Sequence, residues 1–124
     1  MIKNKAIQEW EKAIDTQDLS LVKKVYSDNA TLLPTFGSKE LIGLSNITPY
    51  FVGLFKKKNL NVRFITYNSQ QIKNIEILSG SYIFSHDGLM NMIRRIPARY
   101  TFVTIKDKSG VHILNHHSSL KPNW

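Results

Sequence analysis

Asn115, His116, His117, Ser118 and Ser119 set two imidazoles and two hydroxyls side by side near the C-terminal end of the sequence. An imidazole changes charge near neutral pH and ligates metals through either ring nitrogen, so the pair suggests a metal clamp or an acid/base centre. Two further histidines, His86 and His112, are available to complete either one. Upstream, Arg99 and Tyr100 add a guanidinium and a phenol, suited to anion contact and to hydrogen bonding. Cysteine is absent, which excludes disulfides, thiolate metal sites and cysteine nucleophiles.

What these groups can do depends on the elements that hold them. Ala6, Ile7, Trp10, Ala13 and Ile14 recur at helical spacing, with Lys5, Gln8, Glu9, Glu11 and Lys12 turned to water. Asp18 is placed to cap a second, shorter helix whose apolar stripe is Leu19, Val22, Val25 and Tyr26. Ala30–Leu33 reads as a strand ended by Pro34, before a loop holding Gly37 and Gly43. A third helix, capped by Ser45 or Asn46 with Pro49 in its first turn, carries the stripe Ile47, Tyr50, Phe51, Leu54 and Phe55. From Asn61 onward the pattern is that of consecutive antiparallel strands: Val62–Tyr67, Gln71–Leu78, Ser81–Ser85, Ala98–Lys106 and Val111–Ser119. Breaks are expected at Asn68-Ser69, at Ser79-Gly80, at His86-Asp87-Gly88 and over Lys106–Gly110. Helices first and strands after predict a single α+β domain over residues 1–124, with the helices on one face of a curved sheet.

Side chains alternate along a strand, so His116 and His117 must point to opposite faces and cannot chelate one ion together. His112 and His116 share a face but stand about 13 Å apart, too far for direct shared ligation, and no metal is expected. A hairpin centred on Lys108 pairs Arg99 with His117, Thr101 with Asn115, Val103 with Ile113 and Ile105 with Val111. On the other face it pairs Tyr100 with His116, Phe102 with Leu114, Thr104 with His112 and Ala98 with Ser118.

The run PARYTFV (Pro97–Val103), the hairpin KDKSG and the ending HILNHHSSLKP (His112–Pro122) resemble the close of bacterial nuclear-transport-factor-2-like proteins. The branch they resemble is related to the association (hub) domain of calcium/calmodulin-dependent protein kinase II, and its bacterial members are often labelled SgcJ/EcaC-type oxidoreductases. Trp10 with Ala13-Ile14, Asp18–Tyr26, DNATLLPT (Asp28–Thr35) and PYFVGLF (Pro49–Phe55) extend the resemblance over nearly the whole chain. Val111 departs from it, standing where the family usually has tryptophan. The resemblance implies a cystatin-like cone with an internal pocket, closed by a strongly bent antiparallel sheet, and dimers or larger rings formed through the sheet. It also places Phe84, Phe102 and Ser118 where the kinase hub has pocket arginines. No kinase signature is present, so the likeness is to the hub alone.

In such a cone the inward face carries Tyr82, Phe84, Ala98, Tyr100, Phe102, Leu114, His116 and Ser118, with Tyr50 and Phe51 from the third helix. An aromatic lining with a few convergent polar tips is the make-up of a small-molecule site. Tyr100 and His116 as cross-strand neighbours suggest either an acid/base pair or a buried histidine satisfied by a phenol. On the outer face, Arg99 and His117 are the candidates for a partner subunit or an anion. The acids Asp28, Glu40, Glu76 and Asp87 all fall off the pocket face of the last two strands, and no dinucleotide fingerprint supports the oxidoreductase label.

The net charge of +8 is spread along the chain, with a run at Lys56-Lys57-Lys58 and a pair at Arg94-Arg95. No helix carries a basic stripe and no basic stretch interleaves with aromatics, so nucleic acid is not the expected partner. No apolar run approaches the roughly 18 residues of a membrane span, and MIKNKAIQEWEKAI lacks a signal-peptide core. Neither a membrane partner nor a cofactor is expected, and the location expected is cytoplasmic, although a trimmed leader would leave no trace. Two functions follow. The first is a stand-alone oligomerisation and small-ligand-binding module. The alternative is a small lyase, isomerase or hydrolase of the ketosteroid-isomerase type, using His116 with Tyr100.

Overall fold

The structure, a computed structural model, describes residues 2–123. Asn4 opens α1 (Lys5–Thr16) by accepting from the Ile7 amide at 3.2 Å. Asp18 opens α2 (Leu19–Val25) by accepting from the Ser20 amide at 2.9 Å, as its place in the sequence predicts. The third helix, α3 (Leu44–Leu54), starts earlier than predicted, and Pro49 falls inside it rather than in its first turn. Its cap is Gly43, whose φ of 86° needs a residue without a Cβ.

Six strands form one sheet: β1 (Tyr26–Leu33), β2 (Leu41–Ile42), β3 (Asn61–Ile72), β4 (Ile75–Asp87), β5 (Ile93–Asp107) and β6 (Gly110–Leu120). Their spatial order is β2-β1-β6-β5-β4-β3. Every neighbouring pair is antiparallel except β1 and β6, which run parallel. That parallel pair lies outside the antiparallel meander the sequence suggests. The chain reaches β6 from β5, while β1 arrives from the helices and joins the free edge.

Two expected breaks are not turns. Asn68 pairs with Ser79 inside one continuous β3–β4 ladder, and the chain reverses instead after Ile72, which pairs with Ile75. Gly80 is there for closeness. A Cβ on it would stand 2.1 Å from the Thr66 carbonyl oxygen and 2.9 Å from the Tyr100 hydroxyl. Gly80→Ala is therefore expected to push β3 off β4 and to cost about 2–3 kcal/mol, read as a lowered urea midpoint.

The last hairpin also differs from its predicted register. Asp107 pairs with Gly110, and between Thr104↔Ile113 and Val103↔Asn115 the ladder takes in Leu114 as an extra residue. Beyond that bulge Phe102 lies opposite His116, Thr101 opposite His117, Tyr100 opposite Ser118 and Arg99 opposite Ser119. The shift is two residues, so the inward and outward sets survive there. Leu114 does not follow the predicted pattern: it is half-buried and lies outside the core, and Ile113 is the buried residue of the pair.

All three helices contribute to a core on the concave face, with Trp10, Ile14, Val22, Ile47 and Phe51 packed against Tyr82, Phe84, Phe102 and Ile113. On the convex face Ile75, Ile77, Ile83, Val103 and Ile105 are half-buried and lie outside that core.

Candidate functional site

Alternation along β6 turns His116 and Ser118 inward, at 2% and 4% exposure, and leaves His117 on the outer surface. The inward pair meets a chain of hydroxyls. Trp10 Nε1 donates to Tyr26 Oη at 3.1 Å, and Tyr26 Oη lies 2.8 Å from His116 Nδ1. His116 Nε2 lies 3.2 Å from Tyr82 Oη, and Tyr82 donates to Ser118 Oγ at 2.5 Å. Ser118 in turn shares a hydrogen bond with Thr35.

The direction of the chain follows from donor counting. An indole can only donate, and a phenol has one proton to give. Tyr26 accepts from Trp10, so its own proton goes to His116 Nδ1. Tyr82 gives its proton to Ser118, so it accepts from His116 Nε2. Both ends demand the same neutral tautomer, with the proton on Nε2. Burial pushes the His116 pKa down to about 3, assisted by the neighbouring charge of His117. Burial also holds the Tyr26 and Tyr82 phenols well above their usual range. No member of the trio is poised to exchange a proton near pH 7.

Rings fill the remaining space. His116 stacks on Phe102 with centroids 3.8 Å apart, and Trp10 stacks on Tyr82 at 5.6 Å. Trp10 also meets Phe84 at 6.3 Å, Phe102 at 5.1 Å and His116 at 5.3 Å, each edge-on. The expected internal pocket persists only as a hollow of about 10 Å³, room for about one water. Two of the positions that resemble the hub's arginines are part of the filling, Phe84 and Phe102. Ser118 and Thr35 border both this hollow and an outer groove of about 370 Å³ that also touches Lys39, Glu40 and His117.

The other predicted residues are placed as follows. Phe51 is buried in the core, and Tyr50 lines the hollow with its hydroxyl accepting from the Phe36 amide at 3.4 Å. Tyr100 is buried, but its hydroxyl donates to the Thr66 carbonyl at 2.9 Å. The Tyr100–His116 pair is thus replaced by Tyr26–His116–Tyr82, because the bulge moves Tyr100 opposite Ser118 and its ring reaches over Gly80. Arg99 and His117 share the exposed outer face, two pairings apart rather than opposite each other. Among the described residues no carboxylate lines the hollow: Glu76 takes Asn4 at 2.9 Å, and Asp87 takes Asn59 at 2.8 Å.

Trp10, Tyr26 and Thr35 belong to the site, although helical periodicity marks the first two simply as core. A signal was present. A tryptophan and a tyrosine on buried stripes each carry a polar tip that has to find a partner inside.

The family model for the calcium/calmodulin-dependent protein kinase II association domain matches residues 4–122. A solved protein from Xanthomonas campestris assigned to that same domain is 25% identical, with a TM-score of 0.86 over 95% of this chain and 84% of that one. A nuclear transport factor 2-like superfamily protein from Salmonella enterica is 16% identical, with a TM-score of 0.83 over 97% of this chain and 89% of that one. A ketosteroid isomerase-like protein from Erwinia carotovora is 12% identical, with a TM-score of 0.76 over 95% of this chain and 92% of that one. These last two likenesses show the fold alone. No curated protein matches the sequence.

Proposed function

The chain belongs to the calcium/calmodulin-dependent protein kinase II association domain family, and on that footing we propose that it is a self-association module whose copies pack through the convex faces of their sheets. The supporting observation is the one-sided cover of the sheet. Its concave face is packed under helices, while Ile75, Ile77, Ile83, Val103 and Ile105 lie on the other face outside the core. A sheet with apolar residues on both faces calls for a second layer, and a second copy supplies one. Arg99 and His117 lie on that same face, where they would meet the partner.

In this reading the hydrogen-bonded interior is a rigid scaffold. A histidine held near 3 and a phenol bonded elsewhere do not make the acid/base pair that the isomerase-like alternative requires. Small-ligand binding keeps one specific support: the hydroxyl chain ends at Ser118 and Thr35, which also line the outer groove. A ligand oxygen seated there would accept the one hydroxyl proton that the Ser118–Thr35 bond leaves over.

Sedimentation velocity tests the assembly. The native chain is expected to sediment as a dimer or larger, and Val103→Arg to sediment as a monomer with an unchanged far-ultraviolet spectrum. A native monomer, or a variant that assembles as before, overturns the sheet-face contact.

A further inference from the structure

The β4–β5 connection carries a feature that neither the sheet nor the interior uses. Leu89, Met90 and Met92 stand at its tip and Ile93 opens β5 directly below, exposed in that order by 89%, 92%, 70% and 56%. Two backbone bonds close the turn: the Gly88 amide donates to the Met92 carbonyl at 2.7 Å, and the Met92 amide to the Leu89 carbonyl at 3.1 Å.

Cations surround the base of this tip. Arg94 and Arg95 are consecutive on β5, so they project to opposite faces of the hairpin. The Lys58 carbonyl accepts from the Asp87 amide at 2.8 Å, which brings the end of the Lys56-Lys57-Lys58 run against the same base. From His86 to Arg95 the only carboxylate is Asp87, and Asn59 holds it. In sequence Lys58 and the Arg94-Arg95 pair lie far apart, and the fold brings them to one end of the molecule.

We propose that this end docks on an anionic lipid surface, with the tip side chains entering the headgroup boundary and Lys58, Arg94 and Arg95 resting on the lipid phosphates. Charge complementarity selects that occupant. A second copy docking by the same end would set Arg94 and Arg95 against their own like charge. A nucleic acid would leave four apolar side chains without a role, since no aromatic stands among them for base stacking. A bilayer carrying anionic lipid satisfies both halves: apolar side chains bind at the interface, and Lys and Arg add attraction to anionic headgroups. The contact is peripheral, because no helix among the described residues is long and apolar enough to cross a membrane. It departs from the sequence expectation of no membrane partner and does not depend on the sheet-face assembly.

The test is cosedimentation of the whole chain with phosphatidylcholine vesicles, with and without phosphatidylglycerol. Binding is expected only to the phosphatidylglycerol vesicles and should weaken with salt. It should be lost in the double variant Leu89→Ser with Met90→Ser, and also in Arg94→Glu with Arg95→Glu. Both tip residues are almost fully exposed, so an unchanged melting curve is expected to show that the fold survives. The proposal is overturned by any of four results: no binding to anionic vesicles, binding indifferent to the tip variant, a lipid-free mass that falls in the tip variant, or tighter tip-dependent binding to duplex DNA.

Discussion

Lowering the pH from 6.5 towards 3 is expected to remove on the order of 4–5 kcal/mol of folding free energy through His116 alone. In the unfolded chain the imidazole gains its proton near pH 6.5; in the folded chain burial delays that to about 3. Between those values the unfolded state binds one more proton than the folded state. The contribution is therefore complete above pH 6.5 and is lost as the pH falls through the window. Protonation would also place a donor on Nδ1, where the Tyr26 hydroxyl already donates, so the bond at 2.8 Å would turn repulsive. The loss approaches the lower end of the ~5–15 kcal/mol that stabilises an ordinary domain, so the urea midpoint should fall steeply within the window. His116→Gln isolates the effect, because an amide keeps one acceptor and one donor but does not titrate. Urea unfolding across this pH range should show a steep native profile and a shallower one for the variant. Parallel profiles would falsify the assignment of His116 as the buried neutral group.

Trp10→Ala is expected to cost about 3–5 kcal/mol, the range for removing a large buried aromatic. Trp10 is 1% exposed and meets Phe64, Tyr82, Phe84, Phe102 and His116 while donating to Tyr26. Its loss empties the centre of the cone and removes the donor that sets the direction of the hydroxyl chain. Free indole supplies the same ring and the same N–H, so adding it should raise the variant's melting temperature and leave the native chain unchanged. If indole stabilises neither protein, or both equally, then the space is not filled by this ring as described.

The same residues show how far the sequence could be read. The helical stripes, the Asp18 cap and the α+β order were all legible, because helical periodicity and capping are local. The site was legible in part. His116, Ser118, Tyr82, Phe84, Phe102, Tyr50 and Phe51 do converge, but Tyr100 turns to Thr66 and Leu114 leaves the face. Both departures trace to the Leu114 bulge and to Gly80, where β3, β4 and β5 approach each other closely. No short window of sequence contains both sides of such an approach. The Asn68-Ser69 and Ser79-Gly80 breaks illustrate the same limit, since turn-forming residues also suit a tight crossing between strands.

For NHHSS the sequence by itself determined the split of His116 from His117, because alternation along a strand is built into the covalent backbone. It also ruled out sharing of one metal by that pair. Only the tertiary structure decided what His116 meets. Its partners Tyr26 and Tyr82 come from β1 and β4, and Trp10, which orders the chain of donors, comes from α1. Those contacts, like the filling of the cone and the gathering of cations around the β4–β5 tip, depend on register and packing between segments far apart in the chain. They arise when the helices close over the sheet.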